Sequence, residues 1–489
     1  MESSILDKDL AALQEVRTLV ARAKVAAEEF AHFDPKKAWH IAEAVCRICE
    51  ERTEFYARWA LEETGIGRLE DKISKNRTAS RGLLEFYRNT PLGGAQVDNA
   101  KRMILIARSA GVIMGLIAST SPIATLYFKI LSCLMTRNAV ILSPHPLAIE
   151  CSVDAVERLR KAAQQAGAPA DAIQIQKAPT LEATLEMMRN PAINLILATG
   201  GSPMVRAAYS SGNPALGVGP GNVPVYVDAS ANIPLAVSET LAAKLFDYGS
   251  PCSAPSALFV HRDVAQRFDD EMRRSGAFYC DASQQARLEA FAFPHGHLNT
   301  AVVGRSPAWI AEQAGLSGAA NATALVGRFE EVTTETPMVK EKLSPILGLK
   351  YVDSREQAIR DANMMLSISG AGHTAGIFSE DIETIALWGS AIDTNRNVVN
   401  KGTSSGATGN GNHLTPTLTI GTGFAGRSSI GENVGPHHLI NWKRVAFPVA
   451  GASGGSGDAR KTNPEAPMEA RVRGAVDAIL QALGERRSA

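Results

Sequence analysis

In the stretch KLFDYGSPCSAPS, Cys252 comes just after a glycine, with Pro251 directly before it and Pro255 three residues on. A thiol inside a periodic apolar run is ordinarily a small core hydrophobe. A thiol in so constrained a turn is held at one point, as a nucleophile must be. The other five cysteines carry weaker signals. Cys46 and Cys49 form a lone CxxC in a helical pattern, without the second pair or spaced histidine that a zinc site needs, and Cys133, Cys151 and Cys280 read as structural. No metal is expected.

The elements that must position Cys252 follow from length and patterning. A chain of 489 residues, 45% hydrophobic, is long enough for about three domains. Its 50 basic and 50 acidic residues balance, which favours a small-molecule partner over nucleic acid or an anionic membrane. Irregular cysteine spacing and the absence of a signal-peptide pattern in MESSILDKDLAALQEVR point to a reducing cytoplasm. The uncharged run SAGVIMGLIASTSPIATLYF is as long as a membrane span, but its glycines, Ser/Thr residues and Pro122 divide it into a strand, a turn and a helix.

About ninety N-terminal residues carry helical periodicity. MILIAR, GVIMGLIA, AVILSPHP, AIQIQ and INLILATGG then read as strands alternating with helices such as CSVDAVERLRKAAQQAG. That alternation predicts an α/β fold with parallel sheets, in which ligands lie beyond the carboxyl ends of strands. Those ends are IASTSP, LSPHP and LATGGSP, small-residue turns entering helices, suited to phosphates and ribose although no GxGxxG is present. A second unit starts near Asn232 with the helix NIPLAVSETLAAKLFD, which leads to the cysteine turn. The polar segment NKGTSSGATGNGNHLTPTLTIGTGFAG reads as loops lining a cleft.

Phe246, Gly249, Cys252 and Ala254 form FxxxGxxCxA, and at this point the sequence resembles the aldehyde dehydrogenase superfamily. GVGPGNVPVYVD, EKLSPILGL, GAGHTAGIFS and SIGENVGPHHLINWKRVA are similar to its coenzyme-A-acylating branch, over roughly residues 111–446. The resemblance implies an aldehyde dehydrogenase fold: a Rossmann-like cofactor domain over 1–231 with oligomerisation strands near 97–110, a catalytic domain over 232–412, and a return to the cofactor and oligomerisation regions over 413–449. It implies Cys252 as nucleophile. Glu341 is placed on the nicotinamide ribose, and Ser143, His145, Thr199, Gly200 and Gly201 on the adenine-ribose and pyrophosphate side, with a turn cap as the rival role for His145. His373 is implied as an active-site neighbour, against a structural hydrogen bond.

The chemistry this requires is addition of a thiolate to an aldehyde, hydride transfer to NAD (NADP the alternative), and release of the resulting enzyme thioester. Hydrolytic relatives use a glutamate to activate water, but GVGPGNVP has no carboxylate there, and between Ser210 and Cys252 the only acids are Asp228, Glu239 and Asp247. A thiol is far more acidic than water, so the missing base favours coenzyme A as acceptor. A hydrolytic dehydrogenase and a silent nucleotide-binding scaffold are the rivals. Two positions depart from the branch. Ser121-Pro122 stands where relatives have Asn-Pro, leaving Ser121 as the candidate oxyanion donor. Arg427 stands where they have a small residue, and would meet an anionic aldehyde such as sulfoacetaldehyde if it faced the substrate tunnel; a salt bridge or a solvated loop position is its rival. Acetaldehyde or propionaldehyde is the default substrate, and a homo-oligomer, dimer or tetramer, the default assembly. Residues 450–489 read as a linker and an amphipathic helix with Val472, Val476, Ile479, Leu480 and Leu483 on one stripe. Such a tail either packs on the enzyme or, through 468–487, addresses it to a bacterial microcompartment shell.

Overall fold

The computed structural model describes residues 8–448; the linker and tail helix lie outside them. Strands β1 (Ala95–Asp98), β2 (Met103–Ser109), β3 (Val112–Leu116), β4 (Ala139–Ser143), β5 (Ile173–Ile175), β6 (Leu195–Ala198) and β7 (Ala215–Gly217) precede β8 (Val223–Val227) and β9 (Pro255–His261). After them come β10 (Ala277–Tyr279), β11 (Ala324–Arg328), β12 (Ile346–Val352), β13 (Ala375–Phe378), β14 (Asn397–Val399) and β15 (Ile440–Ala446).

The first parallel sheet has the order β5-β4-β3-β6-β7. The chain leaves β3 toward one edge and returns to β6 on its other side, so the strand order reverses between them. The turns beyond β3 and β6 open on the crevice that such a reversal creates. Strand alternation sends Met114 and Ile141 to one face, against the helix Lys8–Phe30 through Val16 and Val20. Ile113, Val140 and Leu142 point to the other, against the helices Pro35–Glu51, Pro122–Met135 and Ile149–Gln165. Every residue of Pro122–Met135 is buried. At about 1.5–3 kcal/mol for each large apolar side chain removed from water, this burial accounts for the long uncharged run. Among the described residues no helix is long and apolar enough to cross a membrane.

The second sheet, also parallel, has the order β10-β11-β12-β9-β8-β13-β14. Both its faces are covered: Val225, Val227, Leu258 and Val260 pack on one side, and Tyr226, Ala257 and Phe259 on the other. Buried on both faces, these strands read as continuous apolar runs. The helix Ile233–Leu245, whose N-terminus is capped by Asn232 through Leu235 N–H, hands the chain to the Cys252 loop before β9 begins. A third, antiparallel sheet β1-β2-β15 pairs Met103 with Ala446 and Ser109 with Ile440.

Candidate active site

The cysteine loop is built on left-handed backbone. Asp247, Tyr248 and Gly249 take φ of 49°, 52° and 69°. A non-glycine residue in that region costs about 1–2 kcal/mol, so something must hold Asp247 and Tyr248 there. The fully buried Asp247 carboxylate does so: it accepts from Arg68 N–H (2.7 Å), Ser250 Oγ (3.0 Å) and Lys75 Nζ (2.5 Å), with Lys72 Nζ at 3.5 Å. Burial would raise its pKa, but Lys75 and Lys72 outweigh that and hold it below the usual carboxylate value. Packing also explains a glycine of GVGPGNVP, since a Cβ on Gly221 would lie 1.8 Å from the Cys252 carbonyl oxygen.

Cys252 lies on the wall of a cleft of about 120 Å³ that also presents Ser121, Thr199, Ser404, Thr408 and Ile420. The polar loops after Asn400 therefore do line a cleft, and the turns beyond β3 and β6 reach it through Ser121 and Thr199. His373, fully buried, places Nε2 3.1 Å from Cys252 Sγ and Nδ1 3.0 Å from Thr374 Oγ1. Burial, with help from Arg396, lowers the His373 pKa to about 3, so the ring is neutral. Burial, with Glu341 nearby, pushes the Cys252 thiol up to about 12, against the opposing pull of its own main-chain N–H, Lys75 and Arg396. The pair at rest is thus a protonated thiol and a neutral imidazole. The tautomer that donates Nδ1–H to Thr374 leaves Nε2 to accept the S–H proton. Arg396 fixes the backbone behind this pair by donating to His373 O (3.1 Å), Gly421 O (2.8 Å) and Gly431 O (2.9 Å).

Glu341 lies with Cys252 and Lys244 around a smaller void of about 10 Å³. Its Oε1 accepts from Gly221 N–H at 3.0 Å, which leaves Oε2 to a ligand hydroxyl. Burial raises its pKa to about 8 against the pull of the Gly221 N–H, Lys244 and Lys342. If the carboxylate form is the one that accepts a ribose diol, NAD⁺ affinity rises with pH through that value. Titration calorimetry at pH 6.5 and pH 9 is expected to show about 30-fold tighter binding at the higher pH, the factor by which ionisation limits the competent form. In Glu341→Gln the pH dependence disappears; a wild-type profile flat across this range contradicts the role.

Three acids near the loop in sequence are already engaged. Asp228 accepts from Tyr226 and Ser230, Glu239 from Gly402 N–H, and Asp247 from the lysines. Thr199, Gly200 and Gly201 form the turn into the helix Ser202–Tyr209. A Cβ at Gly200 or Gly201 would meet nothing closer than 3.7 Å, so neither glycine is required by the protein's own packing. The bare backbone there fits a pyrophosphate approaching the helix N-terminus.

Other expected residues sit elsewhere. Ser143 is buried, with its hydroxyl bonded to Gln176 and Thr184. His145 caps a turn, its Nδ1 accepting from Leu147 N–H at 3.1 Å. Arg427 is exposed, at φ 56° in a turn closed by its N–H to Phe424 O, and is not among the residues that line the cleft beside Cys252.

The sequence reading missed Lys75, Lys72 and Arg396. Lys72 and Lys75 lie at i and i+3 on the helix Leu69–Arg77, a spacing indistinguishable in sequence from a solvated polar face. The available signal was that Asp247 stands inside the nucleophile turn and needs a cation.

The model of the aldehyde dehydrogenase family matches residues 2–276. The bifunctional aldehyde-alcohol dehydrogenase AdhE of Escherichia coli is 36% identical over 438 residues, covering 88% of this chain and 49% of that protein. The chain spans about half the length of that relative and of the other aldehyde-alcohol dehydrogenases it matches. An acetylating aldehyde dehydrogenase from Geobacillus thermoglucosidasius superposes with a TM-score of 0.89 at 38% identity, covering 91% of this chain and 99% of that one. A propionaldehyde dehydrogenase from Rhodopseudomonas palustris, solved with bound CoA and an acylated cysteine, superposes at 0.79 with 25% identity, over 88% and 97% of the two chains.

Proposed function

The chain belongs to the aldehyde dehydrogenase family, and from that premise we propose that it converts a short aldehyde of the acetaldehyde or propionaldehyde class, with sulfoacetaldehyde the alternative, to its acyl-CoA through a thioester on Cys252. The observation that carries the proposal is the 3.1 Å contact between Cys252 Sγ and His373 Nε2 beside a cleft that, among the described residues, is lined by no carboxylate. His373 takes the thiol proton as sulfur attacks the carbonyl carbon. NAD, or NADP, supplies the acceptor for the hydride that the adduct then loses. Thr199, Gly200 and Gly201 would hold its pyrophosphate and Glu341 its nicotinamide ribose. The thioester is opened by the CoA thiol: with the first proton released from His373 to solvent, the imidazole takes the CoA thiol's proton as the CoA sulfur forms the new C–S bond, and returns it to the Cys252 sulfur that leaves.

The structural names of the similar proteins, acetylating in one and CoA-bound with an acylated cysteine in another, support the thiolytic over the hydrolytic reading. The domain division at about residues 231 and 412, assembly through the β1-β2-β15 sheet, a cytoplasmic setting, and delivery to a microcompartment shell through 468–487 complete the proposal on the strength of the sequence.

The test is NADH formation from acetaldehyde and NAD⁺ with and without CoA. Without CoA, about one equivalent of NADH per Cys252 is expected, then a stop; with CoA, continuous turnover. Continuous turnover in the absence of CoA would favour hydrolysis.

A further inference from the structure

We propose that Lys75, clamped by Asp247, orients and polarises the Ser121 hydroxyl as the hydrogen-bond donor to the aldehyde oxygen when Cys252 adds to the carbonyl; this rests on the aldehyde-addition reading above. Ser121 stands at the N-terminus of the helix Pro122–Met135 but makes no side-chain bond to it. Its oxygen accepts instead from Lys75 Nζ at 2.8 Å. A hydroxyl that accepts a charge-assisted bond becomes a better donor, and its own proton must go to a different partner. Ser121, Lys75 and Cys252 all line the same cleft.

Lys75 is not a mobile surface cation. Its ammonium lies 2.5 Å from Asp247 Oδ2, with side-chain exposures of 8% and 0% for the two partners. Lys72, on the same helical face, reaches both Asp247 Oδ2 (3.5 Å) and the carbonyl of Thr120 (3.2 Å), the residue before Ser121. The same carboxylate accepts from Ser250 Oγ, two residues before Cys252. One buried anion therefore ties the nucleophile loop to the turn that carries the donor, and the sulfur and the hydroxyl keep a fixed relation.

In the addition step the sulfur electron pair forms the C–S bond, the C=O π pair moves to oxygen, and the thiol proton goes to His373 Nε2. Nothing is oxidised at this stage. Negative charge gathers on the carbonyl oxygen, where the Ser121 O–H and the Cys252 main-chain N–H stabilise it, with the Lys75 ammonium one hydrogen bond behind. Ser121 is then a catalytic residue and Lys75 a positioning residue.

The test reads the rate of the first-turnover NADH burst with aldehyde and NAD⁺. That burst needs no CoA, so it remains interpretable even if the thioester proves to be opened by water. Ser121→Ala is expected to slow the burst about 100-fold, with little change in the aldehyde concentration for half-saturation. Alkylation of Cys252 by iodoacetamide, which forms no oxyanion, should keep its wild-type rate in this variant. Lys75→Met is expected to slow the burst about 10-fold alone and less than about twofold in the Ser121→Ala background, with iodoacetamide alkylation of Cys252 at the wild-type rate showing that the loop supported by Asp247 is intact and that the loss runs through the serine. If Lys75→Met does not fold, Lys75→Gln enters the same cycle. A wild-type burst in Ser121→Ala, a parallel loss of alkylation, or full multiplication of the two effects would overturn the proposal.

Discussion

Cys252→Ala is expected to lower turnover of aldehyde, NAD⁺ and CoA by about 10⁴-fold or more, the scale on which enzymes lose activity when a covalent nucleophile is removed. Cofactor affinity should change little. The groups proposed to hold the cofactor, Glu341 and the Thr199–Gly201 turn, belong to other elements, and alanine leaves the loop's supports untouched: Asp247 keeps Lys75 and Ser250, and Gly221 still packs against the residue 252 carbonyl. Stopped-flow absorbance for the burst and calorimetry for NAD⁺ separate the two quantities. A variant that retains a burst would place the nucleophile elsewhere. The remaining cysteines make poor substitutes, because among the described residues it is Cys252 that both lines the cleft and meets a histidine.

His373→Ala has the next largest expected effect, a loss of about 10²–10³-fold in burst rate near pH 7, the range for removing a general base. Its pH signature is sharper than its size. In the wild type the thiol sits near 12 and the imidazole near 3, so neither changes protonation between pH 6 and 9 and the addition rate should be nearly flat. Without the imidazole, attack depends on the small thiolate fraction, which grows about tenfold for each pH unit below the thiol pKa. The variant should therefore regain activity steadily from pH 7 to pH 10. A variant whose pH profile parallels the wild type would show that His373 holds the loop but does not handle the proton.

The site was legible where chemistry is local in the chain. The turn around Cys252, the glycine-rich approach at Gly221 and the polar loops of the cleft each carry their signal within about a dozen residues. Parallel-sheet architecture was legible too, because strands buried on both faces write themselves as apolar runs bounded by small-residue turns. What escaped was long-range. Lys75 meets Asp247 across 172 positions, and the polar stripe that carries it is spelled like any solvated helix face. The pairing of β15 with β2 likewise joins segments more than three hundred residues apart, and neither strand's pattern names its partner. His145 and Arg427 were read by position within motifs, and the local backbone around each was not legible: a turn capped by the His145 ring, and a left-handed turn at Arg427.

Peptide mapping by mass spectrometry tests the central claim most directly. Enzyme mixed with propionaldehyde and NAD⁺, quenched in acid before and after addition of CoA, should carry one propionyl group on the peptide containing Cys252 in the first sample and none in the second, with propionyl-CoA recovered in its place. An acyl group on another residue, or its loss as propionate before CoA is added, would contradict the account.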